Sequence, residues 1–302
     1  MKLAFRTPAK INLGLQIVRK REDGYHELET LFQMVSLYDD ISLENLPSGI
    51  ELECDHPDIP RDESNLVVRA ARLLMEMFPR RRDLGVRIRL IKRIPAGGGL
   101  GGGSGNAAGV LLGLNVLWDL RLRKNDLLLL AGKLGSDVPF FLFAPSALGK
   151  GRGEILSPIQ QAKKFNIILI SPKFPIVTSW VYRNLKLGLT KRENHINLLQ
   201  KFYSHSDIKC LGAHLYNDLE PVVLHEYPEI QTLKDALRLS GAEGSLLSGS
   251  GSTVFGIYAN TEVAKAAYSS LLKKESWDLF LTETIDSLAE LFPEEMLKYP
   301  SN

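Results

Sequence analysis

Only two of the 302 residues are cysteines, Cys54 and Cys210, far apart and in no CxxC pair. That scarcity excludes a disulfide framework and a thiolate metal site, and implies a reducing compartment. Charge of one sign is missing too: 37 Lys and Arg face 35 Asp and Glu, a net of +2. A dedicated nucleic-acid-binding domain would be strongly basic, so nucleic acid is not an expected partner. No apolar run approaches the ~20 residues that cross a bilayer. The stretch from Phe165 to Ile170 is short and contains Asn166. Arg6 and Pro8 interrupt the start of the chain before a signal-peptide core could form. The expected location is the cytoplasm, without membrane contact. The six histidines are scattered with no HExxH pair, so no metal-ligand cluster is expected.

Hydrophobic residues make up 44% and charged residues 24%, enough for one large domain or two of roughly 150 residues. Ile11, Leu13, Leu15 and Ile17 alternate as in a strand, and Asp23-Gly24 signals a hairpin turn. A strand is expected near 40–46. Asn65 can cap a helix reaching Phe78, with Leu66, Ala70, Leu73 and Met77 on one face. Val86, Ile88 and Leu90 alternate with arginines in a strand that runs toward Pro95. Helices follow over 104–118 and 124–134. Phe165–Ile170 reads as a buried strand opening a second half. Helices are expected near 177–186, 193–203, 216–225, 228–239 and 261–274, with strands near 244–248, 253–258 and 279–283. The tail from Ser287 reads as a loosely packed helix. Helices and strands mix without strict alternation, which implies α+β rather than a doubly wound sheet. The expected division is 1–157 and 158–302.

The 25 glycines are unremarkable in number but not in distribution: seven lie between Gly97 and Gly105. A strand, a glycine loop and a helix N-terminus together make an anion site, most simply for a di- or triphosphate. A Walker A loop needs a lysine after the glycines, and none is present. Gly97, Gly99 and Gly102 match the dinucleotide pattern GxGxxG. The alternating Arg87 and Arg89 fit a central parallel strand poorly, however, and Asp119 would fall at a helix end.

Pro95, Gly99, Leu100 and Ser104, followed by Asn106-Ala107-Ala108, resemble the central motif of the galactokinase, homoserine kinase, mevalonate kinase and phosphomevalonate kinase (GHMP) superfamily. Pro8-Ala9-Lys10-Ile11-Asn12-Leu13 resembles its N-terminal motif. Leu247-Ser248-Gly249-Ser250-Gly251-Ser252-Thr253-Val254-Phe255 resembles its C-terminal glycine motif. Asp23-Gly24-Tyr25-His26 and Asp137-Val138-Pro139 are similar to the branch that phosphorylates a cytidine-diphosphate-linked methylerythritol. The resemblance implies a two-domain fold with the site in the cleft between domains. It also implies ATP as donor and Mg²⁺ carried by ATP rather than by a protein cage.

In that family the nucleotide would meet Asn65 and the loop Pro95, Ala96, Gly97, Gly98, Gly99, Leu100, Gly101, Gly102, Gly103, Ser104 and Gly105. Gly105 departs from the family, which usually carries a second serine there. On residue type alone, Asp137 reads as the N-cap of a helix Pro139–Phe143 and Lys10 as an ordinary strand lysine. The resemblance instead implies that Asp137 is the acid/base and that Lys10 lies beside it. Asn12 shares a strand face with Lys10 and either orients the acceptor's 2-hydroxyl or simply bonds to backbone. Tyr25 and His26 would meet cytosine, and Tyr182 would stack on it. Gly249 and Gly251 belong to a turn that either offers N–H groups to substrate or is only a tight hairpin. Alternatives are another GHMP kinase, acting on homoserine, mevalonate or a sugar, and a non-catalytic nucleotide-binding module. A monomer or weak homodimer is expected.

Overall fold

The computed structural model describes residues 2–81, 84–185, 195–272 and 277–298. In chain order the elements are β1 (Lys2–Lys20), β2 (His26–Leu46), β3 (Gly49–Cys54), α1 (Leu66–Met77), β4 (Gly85–Ile91), α2 (Gly102–Leu117), α3 (Lys124–Leu134), α4 (Phe140–Phe143), β5 (Ser146–Lys150) and β6 (Ile155–Pro158). They continue with β7 (Asn166–Pro172), α5 (Thr178–Asn184), α6 (His195–Ser204), α7 (Ile208–Ala213), β8 (Tyr216–Asn217), α8 (Glu220–Glu226), α9 (Glu229–Leu239), β9 (Gly244–Leu247), β10 (Val254–Tyr258), α10 (Thr261–Leu271), β11 (Trp277–Glu283) and α11 (Glu294–Leu297).

Two sheets organise them. The first runs β3-β4-β2-β1-β8, with β5 beside β2 and β6 beside β5. The second runs β11-β7-β10-β9. A long antiparallel hairpin, β1 with β2, forms the spine, closed where the Arg21 N–H donates to the Tyr25 carbonyl at 2.8 Å. Strand β1 is buried on both faces from Thr7 to Leu15. One side of the spine belongs to a core with α1, α2 and α3. Ala9, Ile11 and Leu13 instead join Ile167, Leu169, Phe255 and Ile257 of the second sheet in one apolar layer between the halves. A third core packs α9 and α10 on the second sheet's far face.

Several expectations need correction. Helix α1 buries Val67, Ala70, Ala71 and Leu74, whereas Met77 is 44% exposed. Apolar residues cover more than half of this helix, so periodicity allows more than one buried stripe, and packing on α2 selects between them. The helix expected over 216–225 begins only at Glu220. Tyr216 and Asn217 form a strand parallel to β1, and Pro221, lacking an N–H, sits in the helix's first turn. The tail is packed rather than loose: Leu291, Phe292 and Met296 are buried in the first core, Phe292 against Phe5. The first half of β2, together with β3, β5, β6 and α7, had no counterpart in the expectations. The ends expected at 186, 193–194 and 273–274 lie outside the described residues. The division drawn at 157/158 falls inside β6, and β8 and the tail both return to the first half.

Candidate active site

The glycine loop leaves β4 from a fixed point. Buried Asp39 accepts the N–H groups of Arg93 and Ile94 at 2.7 and 2.9 Å and pairs with the Lys92 ammonium. From there Pro95 to Gly103 line a cleft of about 1120 Å³ between the halves. Gly99 has φ +76°, and a methyl group at its Cα would stand 2.1 Å from the Ser248 carbonyl oxygen. Only glycine permits that approach of loop to turn. Gly101, at φ +68°, caps α2 from the left-handed region and presents no side chain. The first turn of α2 holds no acidic residue, and Gly102, Gly103 and Ser104 face the cleft. Free N–H groups and the positive helix end therefore meet the same space. Lys92 adds a cation: its Nζ lies 3.2 Å from where a methyl on Gly102 would be.

Lys10 and Asn12 lie on β1 between two register shifts against β2, at Pro8/Ala9 and Asn12/Gly14. Such irregularities re-aim side chains that a regular strand would hold flat. The Lys10 N–H donates to the Leu100 carbonyl at 2.8 Å, tying the strand to the glycine loop. Lys10 Nζ stands 3.3 Å from Asp137 Oδ2 and donates to Asn12 Oδ1 at 2.8 Å. Asn12 Nδ2 in turn donates to Thr30 Oγ1, which donates to the Gly14 carbonyl. The ammonium also faces the Phe32 ring at 5.6 Å. Asp137 is in a turn ahead of α4, whose cap position is Pro139 with no side-chain capping bond. The capping role open from residue type is not what the fold uses. The Lys10 side chain is 5% exposed and that of Asp137 34%, so the carboxylate faces a partner on one side and the cleft on the other.

The aromatic residues gather at the same cleft. His26 and Tyr182 have ring centroids 5.3 Å apart. Burial, then the charge of Asp137, pushes the Tyr182 phenol well above its ordinary value. Burial and nearby Lys20 lower the His26 imidazole. Tyr25 is 56% exposed, with the Arg152 guanidinium 4.9 Å from its ring centre. Gly249 meets the Lys10–Asn12 pair: a methyl there would lie 3.4 Å from both Lys10 Nζ and Asn12 Oδ1. Gly251 faces elsewhere, toward Leu247 and Ile176, and does not line the cleft. Asn65 lines the cleft but spends its side chain locally. Its Oδ1 accepts the Val67 N–H and its Nδ2 donates to the Pro60 carbonyl.

Residues 65–144 match the model of the GHMP kinases N terminal domain, and 197–276 that of the GHMP kinases C terminal domain. The 4-diphosphocytidyl-2-C-methyl-D-erythritol kinase of Acetivibrio thermocellus is 39% identical over 94% of this chain and 99% of its own. The kinase of the same name from Syntrophus aciditrophicus is 43% identical over 94% of this chain and 100% of its own. The chain belongs to the GHMP kinase family. A crystal structure of a 4-(cytidine 5'-diphospho)-2C-methyl-D-erythritol kinase superposes with a TM-score of 0.79 at 34% identity, covering 94% of this chain and 99% of that one.

The expected GHMP kinase motifs thus converge on one cleft, with two exceptions, Gly251 and Gly105. Gly105 lies under the loop, where a methyl would stand 3.0 Å from the Pro8 carbonyl oxygen and 3.2 Å from the Phe141 ring. A side chain at this position would crowd both neighbours. Asp119, which the dinucleotide pattern would need on a ribose, is 73% exposed beyond α2 and pairs with Arg121. Sequence reasoning missed Lys92, Arg152, Lys20, Arg183 and Thr178, all of which line this cleft. Only Lys92, three residues before Pro95, carried a local signal. Among the described residues no group of three His, Cys, Asp or Glu is arranged to hold a metal ion.

Proposed function

We propose that this GHMP kinase transfers the γ-phosphoryl group of ATP to the 2-hydroxyl of 4-diphosphocytidyl-2-C-methyl-D-erythritol, in the cytoplasm, as a monomer or weak homodimer. The observation that carries the reading is the placement of His26, Tyr182 and Tyr25 in one cleft with Lys10 and Asp137. Homoserine, mevalonate and sugars carry no base that would need an aromatic subsite. A pure nucleotide binder would need neither Lys10 nor Asp137.

ATP supplies the phosphoryl group. The amides of the Gly97–Gly103 loop, the first turn of α2, Ser104 and Lys92 fit its triphosphate, since each is a donor or cation facing the cleft. Mg²⁺ bound with ATP would supply charge neutralisation, and the described residues, which hold no carboxylate cluster to cage it, suit an ion that keeps water and phosphate ligands. Asp137 takes the proton of the attacking hydroxyl as its oxygen bonds to the γ-phosphorus and the bond to the bridging oxygen breaks. Lys10 keeps that carboxylate ionised and offsets charge in the transition state. Asn12, locked through Thr30, orients the hydroxyl. His26, held neutral at pH 7, presents one ring donor and one acceptor to a cytosine edge. Tyr182 and Tyr25 offer ring faces.

ADP release measured with a panel of acceptors tests the reading. Turnover on the cytidyl substrate alone is expected. Turnover on mevalonate or homoserine in its place would overturn it.

A further inference from the structure

Strand β9 is an edge strand, yet its outer backbone groups at Leu247 are not left to water. The Leu247 N–H donates to Glu220 Oε1 at 3.0 Å, and its carbonyl accepts from Asn217 Nδ2 at 3.0 Å. The same Nδ2 donates to the Gly249 carbonyl at 2.7 Å, while Asn217 Oδ1 accepts the Leu219 N–H. Two side chains therefore stand in for a missing neighbouring strand. The same short segment also grips the first half. Asn217 pairs with Leu15 in register, the Asp218 N–H donates to the Leu15 carbonyl, and Asp218 Oδ2 accepts the Ile17 N–H at 2.8 Å. Glu220 is anchored in turn by Lys234 at 2.7 Å, both side chains being largely buried.

We propose that Asn217–Glu220 is a clasp that sets the gap between Gly249 and the Lys10–Asn12 pair, with Asn217 as its positioning residue. The proposal rests on reading the cleft as a phosphoryl-transfer site. The physical argument is directionality. The apolar layer between the halves favours contact but tolerates small slips. Buried hydrogen bonds fix one register, because any slip leaves polar groups unpaired. Gly249 lies two residues beyond Leu247, and Leu15 three beyond Asn12, so the clasp grips both segments close to the atoms that meet. Asn217 touches no substrate; it acts through the Gly249 carbonyl.

Asn217→Asp keeps the acceptor for Leu219 but turns a carboxylate toward two carbonyl oxygens. Asn217→Ala removes the donors without adding charge and serves if the first variant folds poorly. Asp218, Glu220 and Lys234 are the charged groups packed around this point, with Lys10 beyond Gly249. Amide hydrogen exchange without substrates is measured alongside kcat per ATP-binding site. Exchange at Ser248–Ser252 is expected to quicken at least tenfold in either variant, with α2 unchanged. kcat is expected to fall at least tenfold, with KM for ATP within about twofold. The ratio of N217D to wild-type kcat rises as pH falls, because protonation restores a donor, whereas the N217A ratio stays flat. Faster exchange with unchanged kcat, or lower kcat with unchanged exchange, would overturn the clasp. Loss of cytidyl-substrate turnover by the wild type would instead sink the functional reading, and leave the exchange result standing on its own.

Discussion

Two lysine–aspartate pairs flank the glycine loop, and they differ in what each carboxylate still has to offer. Asp39 is fully buried, and its oxygens are taken by the Lys92 ammonium and the N–H groups of Arg93 and Ile94. Asp137 meets Lys10 with one oxygen while a third of its side chain remains open to the cleft. The residue types are the same and the chemistry available is not. A saturated carboxylate can only hold structure, whereas one with free lone pairs beside an ammonium can accept a proton. Groups closed by their neighbours should therefore register in stability, and groups open to the cleft in turnover.

The sharpest way to break this contrast is Asp137→Asn. kcat should fall by at least ~10²-fold, the contribution of a positioned base, with little change in unfolding midpoint. A variant within tenfold of wild type would remove the base. Asp39→Ala should do the reverse. Breaking a buried pair costs about 3–5 kcal/mol, visible in urea unfolding, while kcat per folded molecule at saturating ATP drops far less. If turnover collapses in a fully folded Asp39 variant, the division into closed and open groups fails.

Smaller effects sharpen the same line. Tyr25→Ala, an open group, should raise KM for the cytidyl acceptor by about tenfold, the equivalent of ~1.4 kcal/mol, and leave the melting curve alone. An unchanged KM would remove the base contact. His26 titrates below its ordinary value of 6.5 through burial and Lys20, so it is neutral at pH 7 and charges only as pH falls lower. KM for the acceptor should stay flat from pH 8 to 7 and rise in more acidic buffer, a rise that His26→Gln abolishes. The same sign applies to stability: the unfolded chain takes up this proton first, so His26 weakens the fold as pH falls. Gly105→Ser, a closed position, should have the least effect. Helix propensity returns about 0.5–1 kcal/mol, and crowding against Pro8 and Phe141 costs about 1–3 kcal/mol. A net loss near ~1 kcal/mol without a gain in kcat is expected, measured by urea unfolding and steady-state kinetics.

Much of the site could be read from local pattern because its parts are local. The loop from Gly97 to Gly103 is a run of glycines between an alternating strand and an apolar helix, and it folds as one. Tyr25 and His26 follow the Asp23-Gly24 turn and end up where that turn points. Asn65 looked like a cap and is one. What escaped detection has no such local mark. Arg152 and Arg183 are ordinary arginines until a hairpin and a short helix bring them to the rim. Asp39 is one of two consecutive aspartates in a strand, and its neighbour Asp40 pairs with Arg93 at a partly exposed position. Alternation puts Asp39 on the buried face of Leu37, Ile41 and Leu43, but nothing local says that Lys92, Arg93 and Ile94 will meet it there. The two-residue strand at Tyr216 is invisible to periodicity, since two residues make no period and only pairing with β1 defines it.

The sequence by itself determined the kinds of chemistry on offer: a glycine loop ahead of a helix N-terminus, a lysine and an asparagine two apart on one strand, and an aspartate before a short helix. Those follow from steric freedom, strand alternation and helix polarity, which act over a few residues. Tertiary structure alone decided that Lys10 and Asp137, 127 positions apart, lie at 3.3 Å. It alone also decided that Gly249 comes to them from the other half, and that Asp39 is closed while Asp137 stays open. Those outcomes depend on how two sheets share one apolar layer, and no local pattern records which partners such packing will bring together.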